Sequence, residues 1–275
     1  RDKYPNMVLV SLKKNAGYPG GMNKGLEVAT GEFIFLISSD VLVPPGTFNR
    51  LAAAMREHPA AGLIGPVSNT AGNEQQIFMR SELSRRDVLR EGSLFADAGG
   101  VDASCFTAYR LDFCCVCLRR VSYECIGGFD EAYAPGYYED FDYSLLTREA
   151  GFEVLIAENA FVFHEGGATF GRDSKAKKQL MKRNKAYLLS KHGRTTRMPH
   201  VRDANLSVLA QYAERAGRDN APPLARIENR LMFARHDQPR SFFKRLRYRR
   251  RLAKIEQKLA PFLADAAKHS TSPDA

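Results

Sequence analysis

The sequence predicts an α/β fold: short apolar strands in a sheet flanked by helices, followed by a basic, wholly helical C-terminal extension. Three observations predict it. Glu32-Phe33-Ile34-Phe35-Leu36-Ile37 is nearly continuous apolar, as in a strand buried on both faces. Runs of this kind alternate with helical segments as far as His164, the pattern of α/β sheets. Beyond residue 171 only helical periodicity remains.

Taken in order, Met7-Val8-Leu9-Val10-Ser11-Leu12 is a short β-rich run, and residues 15–25 form a loop holding four glycines and a proline. Gly25–Ala29 is the end of a short helix stopped by Gly31. The strand Glu32–Ile37 ends at Ser38-Ser39-Asp40. After Pro44-Pro45-Gly46 a helix from about 47 to 57 carries Phe48, Leu51, Ala52 and Met55 on one face. Gly62–Val67 is a short strand; residues 68–100 are irregular apart from a polar helix near 84–91. Phe113–Leu118 is a buried strand, and a helix from about 140 to 150 is closed by Gly151. Ala160–His164 is the last strand. In the tail, Leu206, Leu209, Ala210 and Ala213 keep helical spacing, and Leu224, Ile227 and Leu231 continue it. A final helix over 241–263 sets a stripe of Phe242, Leu246, Leu252, Ile255 and Leu259 among many Arg and Lys, and only the last half-dozen residues are expected to be disordered.

The 275 residues carry a net charge of +10, but the charge is divided. Residues 1–171 hold 15 basic and 22 acidic side chains, a net −7, whereas residues 172–275 hold 26 and 9, a net +17. An acidic body with a strongly basic tail is a different object from a uniformly basic protein. No stretch approaches 18 consecutive apolar residues, so no transmembrane helix is expected. Arg1–Pro5 has no apolar run behind its charges, so no secretory leader is expected, and the absence of an initial Met suggests a start inside a longer protein. The five cysteines (Cys105, Cys114, Cys115, Cys117 and Cys125) are odd in number and lack zinc-site spacing. They are expected to act as small apolar residues in a reducing compartment.

Two acidic features point to chemistry. Asp40 stands at the C-terminal end of a buried strand, where open α/β sheets place ligands. One Asp can hold Mg²⁺ or Mn²⁺ when substrate phosphates complete the oxygen shell, although a turn or N-cap Asp also fits that position. Glu139-Asp140-x-Asp142 packs three carboxylates into four residues at a helix start, where mutual repulsion raises one pKa and the helix terminus favours ionisation. Such a carboxylate can serve as a general base toward a hydroxyl, or merely cap the helix. His164 ends its strand as a ligand or as a hydrogen-bonded structural residue.

Taken together, Asn15-x-Gly17 with Asn23-x-Gly25, Ala29-x-Gly31, the strand ending in Asp40, Gly127-Gly128-Phe129-Asp130-Glu131, Glu139-Asp140-x-Asp142, Arg148-x-x-Gly151 and His164 resemble family 2 glycosyltransferases of the GT-A fold, particularly the bacterial rhamnosyltransferase-like branch. The set runs over residues 6–193, and Lys175–Gly193, with Asn184 and Lys191-His192-Gly193, resembles the family's post-catalytic helix. The resemblance implies a cytoplasmic enzyme, peripheral on the inner face of the cell membrane. It would transfer a sugar, with inversion, from a nucleotide-diphosphate donor to a glycan or lipid-linked acceptor in bacterial cell-surface polysaccharide or glycolipid synthesis. In that scheme Asp140 is the general base, with Glu139 beside it. Asp40 and His164 hold a divalent cation, Mg²⁺ or Mn²⁺. Asn15, Gly17, Asn23, Ser38, Ser39 and Asp40 face the donor, and Tyr137, Tyr138 and Glu139 face the acceptor.

Two departures qualify the resemblance. Ser38 stands where the family's metal motif has its first Asp, and the family's first two strands have no counterpart. The expectation is therefore a GT-A-like mixed sheet missing its first two strands: a partial catalytic domain over 1–171, inactive alone, and a basic helical region over 172–275. Met7–Leu12 then has no neighbouring strand, and the strand Glu32–Ile37 has an open edge. A non-catalytic glycan- or nucleotide-binding module is the alternative. For the tail, docking of residues 241–263 on an anionic membrane stands beside plain packing on the body. Nucleic acid is not expected as a partner, because no stacking aromatics or recognition motif accompany the charge.

Overall fold

In the computed structural model, residues 6–99, 105–166, 175–193, 199–218 and 221–270 are described. The chain runs α1 (Gly17–Val28), β1 (Phe33–Ile37), β2 (Val41–Leu42), α2 (Thr47–Glu57), β3 (Ala61–Ser68), α3 (Arg85–Asp97), β4 (Cys105–Thr107), β5 (Cys115–Arg119) and α4 (Arg120–Ile126). A 3₁₀ turn at Glu131–Tyr133 leads to α5 (Glu139–Glu149), β6 (Glu153–His164), α6 (Lys175–His192), α7 (Val201–Arg215), α8 (Leu224–His236) and α9 (Phe242–Ser270).

The strands form one mixed sheet in the order β1-β5-β3-β6-β2, with β4 also on β6. Pairing is parallel between β3 and β6 and antiparallel elsewhere; Ile37 faces Cys115, Ile64 faces both Cys117 and Leu155, and Val41 faces His164. The C-terminal ends of β1, β3 and β6 therefore share one rim with the start of β5. One side of the sheet packs on α2, where Cys115 and Cys117 meet Leu51, Ala54 and Met55. Val116 and Leu118 face the opposite way, toward Leu63 and Val154. All five thiols are free, and burial pushes those of Cys115 and Cys117 up to about 12, as small apolar residues of a dry strand require.

Several elements depart from the sequence expectations. Residues 17–25 are helix rather than loop, because α1 is held from outside by contacts that outweigh the poor helix propensity of its glycines. Met7–Leu12 is not a strand and pairs with none among the described residues; Met7, Val8, Leu9, Val10 and Leu12 are 40–70% exposed. β1 is an edge strand, with Ile34 and Leu36 buried and Phe33, Phe35 and Ile37 only half-covered by α2. Past Glu91, α3 continues for almost two more turns because Gly92 lets it lie on β6: a Cβ there would sit 2.2 Å from the Phe161 ring. β6 spans twelve residues and is buried from Val154 to Phe163, polar Glu158 and Asn159 included.

The tail is helical and packs on the sheet domain. Leu206, Leu209, Tyr212, Ile227, Leu231, Leu252 and Leu259 belong to the same apolar cluster as Leu63, Ile156 and Phe161. Between them lies a charged pair at zero exposure, Glu158 and Arg230, 3.0 Å apart. Tyr212 donates to the same carboxylate, and Arg230 also donates to the carbonyls of Glu74 and Gln76. Arg226 donates to the Phe95 and Ala96 carbonyls at the end of α3. The core thus continues across residue 171 without dividing there; the boundary itself and the expected disordered terminus lie outside the described residues. Among the described residues no helix is long and apolar enough to cross a membrane.

Candidate active site

The shared rim collects the acidic residues singled out in the sequence. β1 runs into a turn in which the Ser38 N–H donates to the Cys114 carbonyl and the Val41 N–H donates to that of Ser38, leaving Asp40 at its tip. Pairing of β2 with the end of β6 then brings Asp40 to His164, with Asp40 Oδ2 3.4 Å from His164 Nε2. The histidine is fixed through its backbone: its N–H donates to Asn69 Oδ1 at 2.7 Å, and Asn69 Nδ2 donates to its carbonyl at 3.0 Å.

His164 Nδ1 lies 3.4 Å from the Thr70 carbonyl. With its proton on Nε2 the ring would donate to Asp40, and with its proton on Nδ1 it would face the Thr70 carbonyl and leave the Nε2 lone pair toward the carboxylate, open to a cation. Ser38, short of the family carboxylate, supplies only a hydroxyl. Among the described residues no group of three or more His, Cys, Asp or Glu forms a ready-made cation site. The pair fits a hard divalent cation whose remaining ligands are water and substrate phosphate.

Across the rim, Glu139 and Asp140 open α5. Tyr137 and Tyr138 precede them with φ of +72° and +78°, the left-handed region that bulky side chains rarely adopt. Two successive left-handed residues turn the chain sharply into the helix. The Glu139 side chain is buried, and its Oε2 has no hydrogen-bond partner. Burial foremost, then the neighbouring Asp140, raises its carboxyl well above the usual range. Burial and Asp112 also raise Asp140, against the opposing pull of Arg110. Asp140 Oδ1 accepts from the Phe141 N–H at 2.7 Å, and Oδ2 lies 3.7 Å from Arg110 Nη1. The arrangement suits a carboxylate that takes up a proton near neutral pH beside one that holds its own.

Neither Arg110 nor Asp112 stands out in the sequence. They pair with each other, Asp112 also accepts from the Gly72 N–H, and Arg110 donates to the Gly72 carbonyl at 2.9 Å. No local motif marks them, since their importance comes from the fold setting Arg110 against Asp140. Tyr18 is a third such residue: its hydroxyl donates to the Phe113 carbonyl at 2.6 Å, and the Glu139 and Asp140 charges reinforce the burial that raises its pKa.

The remaining candidates support the loop more than they line an opening. Gly17 (φ +71°) packs so closely that a Cβ would sit 2.6 Å from Pro135 Cα, and the Tyr18 N–H donates to the Pro135 carbonyl. Asn15 Oδ1 accepts from the Gly17 N–H. Asn23, expected on the donor side, has an amide that accepts from the Phe129 N–H and donates to the Phe129 carbonyl and to Glu131. Its capacity is spent tying α1 to the Gly127–Glu131 loop. Behind the acidic loop, Asn184 Nδ2 lies 2.8–2.9 Å from the carbonyls of Tyr133, Gly136 and Tyr137. Asp142 is held by Tyr133 and, from α6, by Lys191 and His192. Of the two tyrosines, Tyr137 lies under Lys177 Nζ at 5.3 Å, and Tyr138 packs beside Phe141 and Leu145.

Comparison with known proteins follows the same outline. Residues 1–125 match the family model described as "Glycosyl transferase family 2". An N-acetylglucosaminyl-diphospho-decaprenol L-rhamnosyltransferase of Mycobacterium tuberculosis is 26% identical over 197 residues, 62% of this chain and 62% of its own length. A galactofuranosyl glycosyltransferase of Leishmania donovani is 23% identical over 226 residues, 70% of this chain and 51% of its own. The chain thus spans less than two thirds of the length of either curated relative. A crystal structure of GalNAc-T7 with UDP, GalNAc and Mn²⁺ superposes with a TM-score of 0.45 at 12% identity, covering 65% of this chain and 35% of that one, too loose a likeness to bear on the site.

Proposed function

We propose that this chain is a family 2 glycosyltransferase, the family whose model residues 1–125 match, and that its protein transfers a sugar from a nucleotide-diphosphate donor to an acceptor hydroxyl with inversion. The reading is supported above all by the Asp40–His164 pair, 3.4 Å apart where β2 meets the end of β6, together with Asp140 at the start of α5, whose carboxyl pKa is raised by burial and by Asp112.

Asp140 takes the proton of the acceptor hydroxyl as that oxygen bonds to the anomeric carbon, while the bond from that carbon to the diphosphate oxygen breaks and its electrons leave with the diphosphate. Glu139, still protonated, donates a hydrogen bond to the substrate at the same edge. Asp40 and His164 would hold Mg²⁺ or Mn²⁺, which when bound neutralises charge on the departing diphosphate. Arg110, paired with Asp112, keeps Asp140 oriented and biases it toward ionisation. Asn15, Gly17, Ser38 and Ser39 belong to the donor side, and Tyr137 and Tyr138 border the acceptor. The rhamnosyltransferase relative is named for a lipid-linked diphosphate acceptor, which favours a lipid-linked glycan of bacterial cell-surface synthesis here as well.

The test is release of nucleoside diphosphate by the full-length protein, offered a panel of sugar nucleotides with a polyprenyl-diphosphate glycan. Asp140→Asn is expected to lose about 10²- to 10⁴-fold in kcat. Unchanged turnover would overturn the base assignment. Calorimetric binding of a sugar nucleotide with no turnover by the wild type selects the non-catalytic module that the missing metal-motif carboxylate at Ser38 favours.

A further inference from the structure

The final helix carries two apolar stripes, and only one is used by the fold. Tyr248, Leu252, Ile255 and Leu259 are buried against the body. At about 100° per residue, Phe243, Leu246, Arg247, Arg250 and Lys254 fall on the opposite side of the same helix. Phe243 is 80% exposed and Phe242 65%, values without a packing rationale for two adjacent aromatics. Their rings meet edge to face, 5.5 Å between centroids, as a single aromatic block. Phe243 and Leu246 line an open groove of about 380 Å³ whose other walls are Arg247, Arg250, Arg251 and Lys254.

Charge decides what such a surface fits. From Arg240 to Lys258 the chain carries nine basic side chains and one acidic, Glu256. Glu256 is engaged by Arg235, Arg249 by Gln238, and Arg251 lies 3.7 Å from Asp203. No ion pair between Lys244, Arg245, Arg247, Arg250 or Lys254 and an acidic group is found among the described residues. Apolar side chains at one end of a strongly basic face match the layered chemistry of a bilayer surface, with anionic headgroups outside and hydrocarbon just beneath.

We propose that the N-terminal half of α9 docks on an anionic lipid bilayer, with Phe242, Phe243 and Leu246 entering the headgroup–acyl boundary and Arg247, Arg250 and Lys254 on the lipid phosphates. The buried stripe stays on the body, so docking needs no unfolding. This narrows the surface expected from the whole of 241–263 to its first half and leaves Leu252, Ile255 and Leu259 out of it. The inference stands apart from the transfer reaction and survives its failure.

The experiment is co-sedimentation of the full chain with vesicles of phosphatidylcholine alone or with about one third phosphatidylglycerol. Binding is expected only to the anionic vesicles and to fall with salt. A Phe242→Ala/Phe243→Ala double variant should weaken it by about tenfold. Arg247→Gln and Arg250→Gln should each cost about fivefold. Thermal unfolding checks that these exposed substitutions leave the fold intact. Equal binding to neutral vesicles, no binding to either, or double-phenylalanine behaviour like wild type would overturn the proposal. So would tighter binding to an oligonucleotide than to anionic vesicles, or self-association abolished by Phe243→Ala.

Discussion

Arg110 holds its guanidinium 3.7 Å from the Asp140 carboxylate while its strongest partner is Asp112. Asp140 therefore sits between a cation that lowers its proton affinity and an anion that raises it, inside a partly dry rim that raises it further. The proton affinity of Asp140, the proposed base, is set by burial and by these two neighbours.

That balance predicts the pH profile. The base works deprotonated, so kcat/KM should rise with pH, along a limb above the ordinary Asp value of about 3.9. Arg110→Met removes the lowering charge and moves the limb to higher pH. Asp112→Asn removes the raising charge, frees Arg110 for Asp140, and moves it lower. Stopped assays across pH 4–9 on the three proteins decide this; a limb fixed in all of them contradicts the assignment.

Glu139 is held at a cost to stability. Its folded-state pKa is raised, so the ionised form is penalised in the native protein. The penalty is absent below the unfolded value of about 4.3 and complete once the pH exceeds the folded value. Glu139→Gln should raise stability by about 1–2 kcal/mol at pH 8 and by nothing near pH 4, while lowering transfer. Paired melting curves at the two pH values test the sign.

Asn184 is a positioning residue for the acidic loop. Its amide serves three carbonyls at the bend that carries left-handed Tyr137 and Tyr138. Asn184→Ala should cost about 1–3 kcal/mol and reduce kcat more than donor KM, because the loop rather than the donor side is loosened. A change confined to stability, with kcat unaltered in the folded fraction, would remove the positioning role.

The Glu158–Arg230 pair predicts a strong non-additivity. Either Glu158→Gln or Arg230→Met strands a charge or a set of donors at zero exposure and should destabilise by about 3–5 kcal/mol. The double change leaves no lone charge and should recover part of that loss. Denaturant unfolding of the full cycle measures the coupling, and additive losses would contradict it.

Much of this was legible in the residues. β1, α2, β5 and α5 follow from local apolar patterning, and the places of Asp40, His164 and Asp140 at element ends follow with them. What escaped depends on distant partners. α1 is helical because Gly17 meets Pro135 and Asn23 holds Phe129, 106 residues away. β6 looked short because Glu158 and Asn159 interrupt its apolar run, and only Arg230 makes that interruption buriable. Met7–Leu12 has strand composition but pairs with no strand among the described residues. Arg110 and Asp112 neutralise each other, and no pattern along the chain tells such a pair from a surface ion pair. The bonds from Asn23 to Phe129 and Glu131 were not foreseeable either, because a glycine-flanked Asn fits a ligand loop and a tie between distant segments equally well.

The pair in the core also orders events in time. Glu158 leaves the ribosome 72 residues ahead of Arg230, which at about 5–20 residues per second is roughly 4–14 s of synthesis. Through that interval β6 carries a carboxylate without its Arg230 partner, and the Glu74, Gln76, Phe95 and Ala96 carbonyls lack the guanidinium donors they later receive. The nascent sheet must keep those groups wetted until α8 arrives. Burial of the middle of β6 is thereby tied to translation of the tail, and a ribosome halted before residue 230 would hold a sheet whose Glu158 has no guanidinium partner.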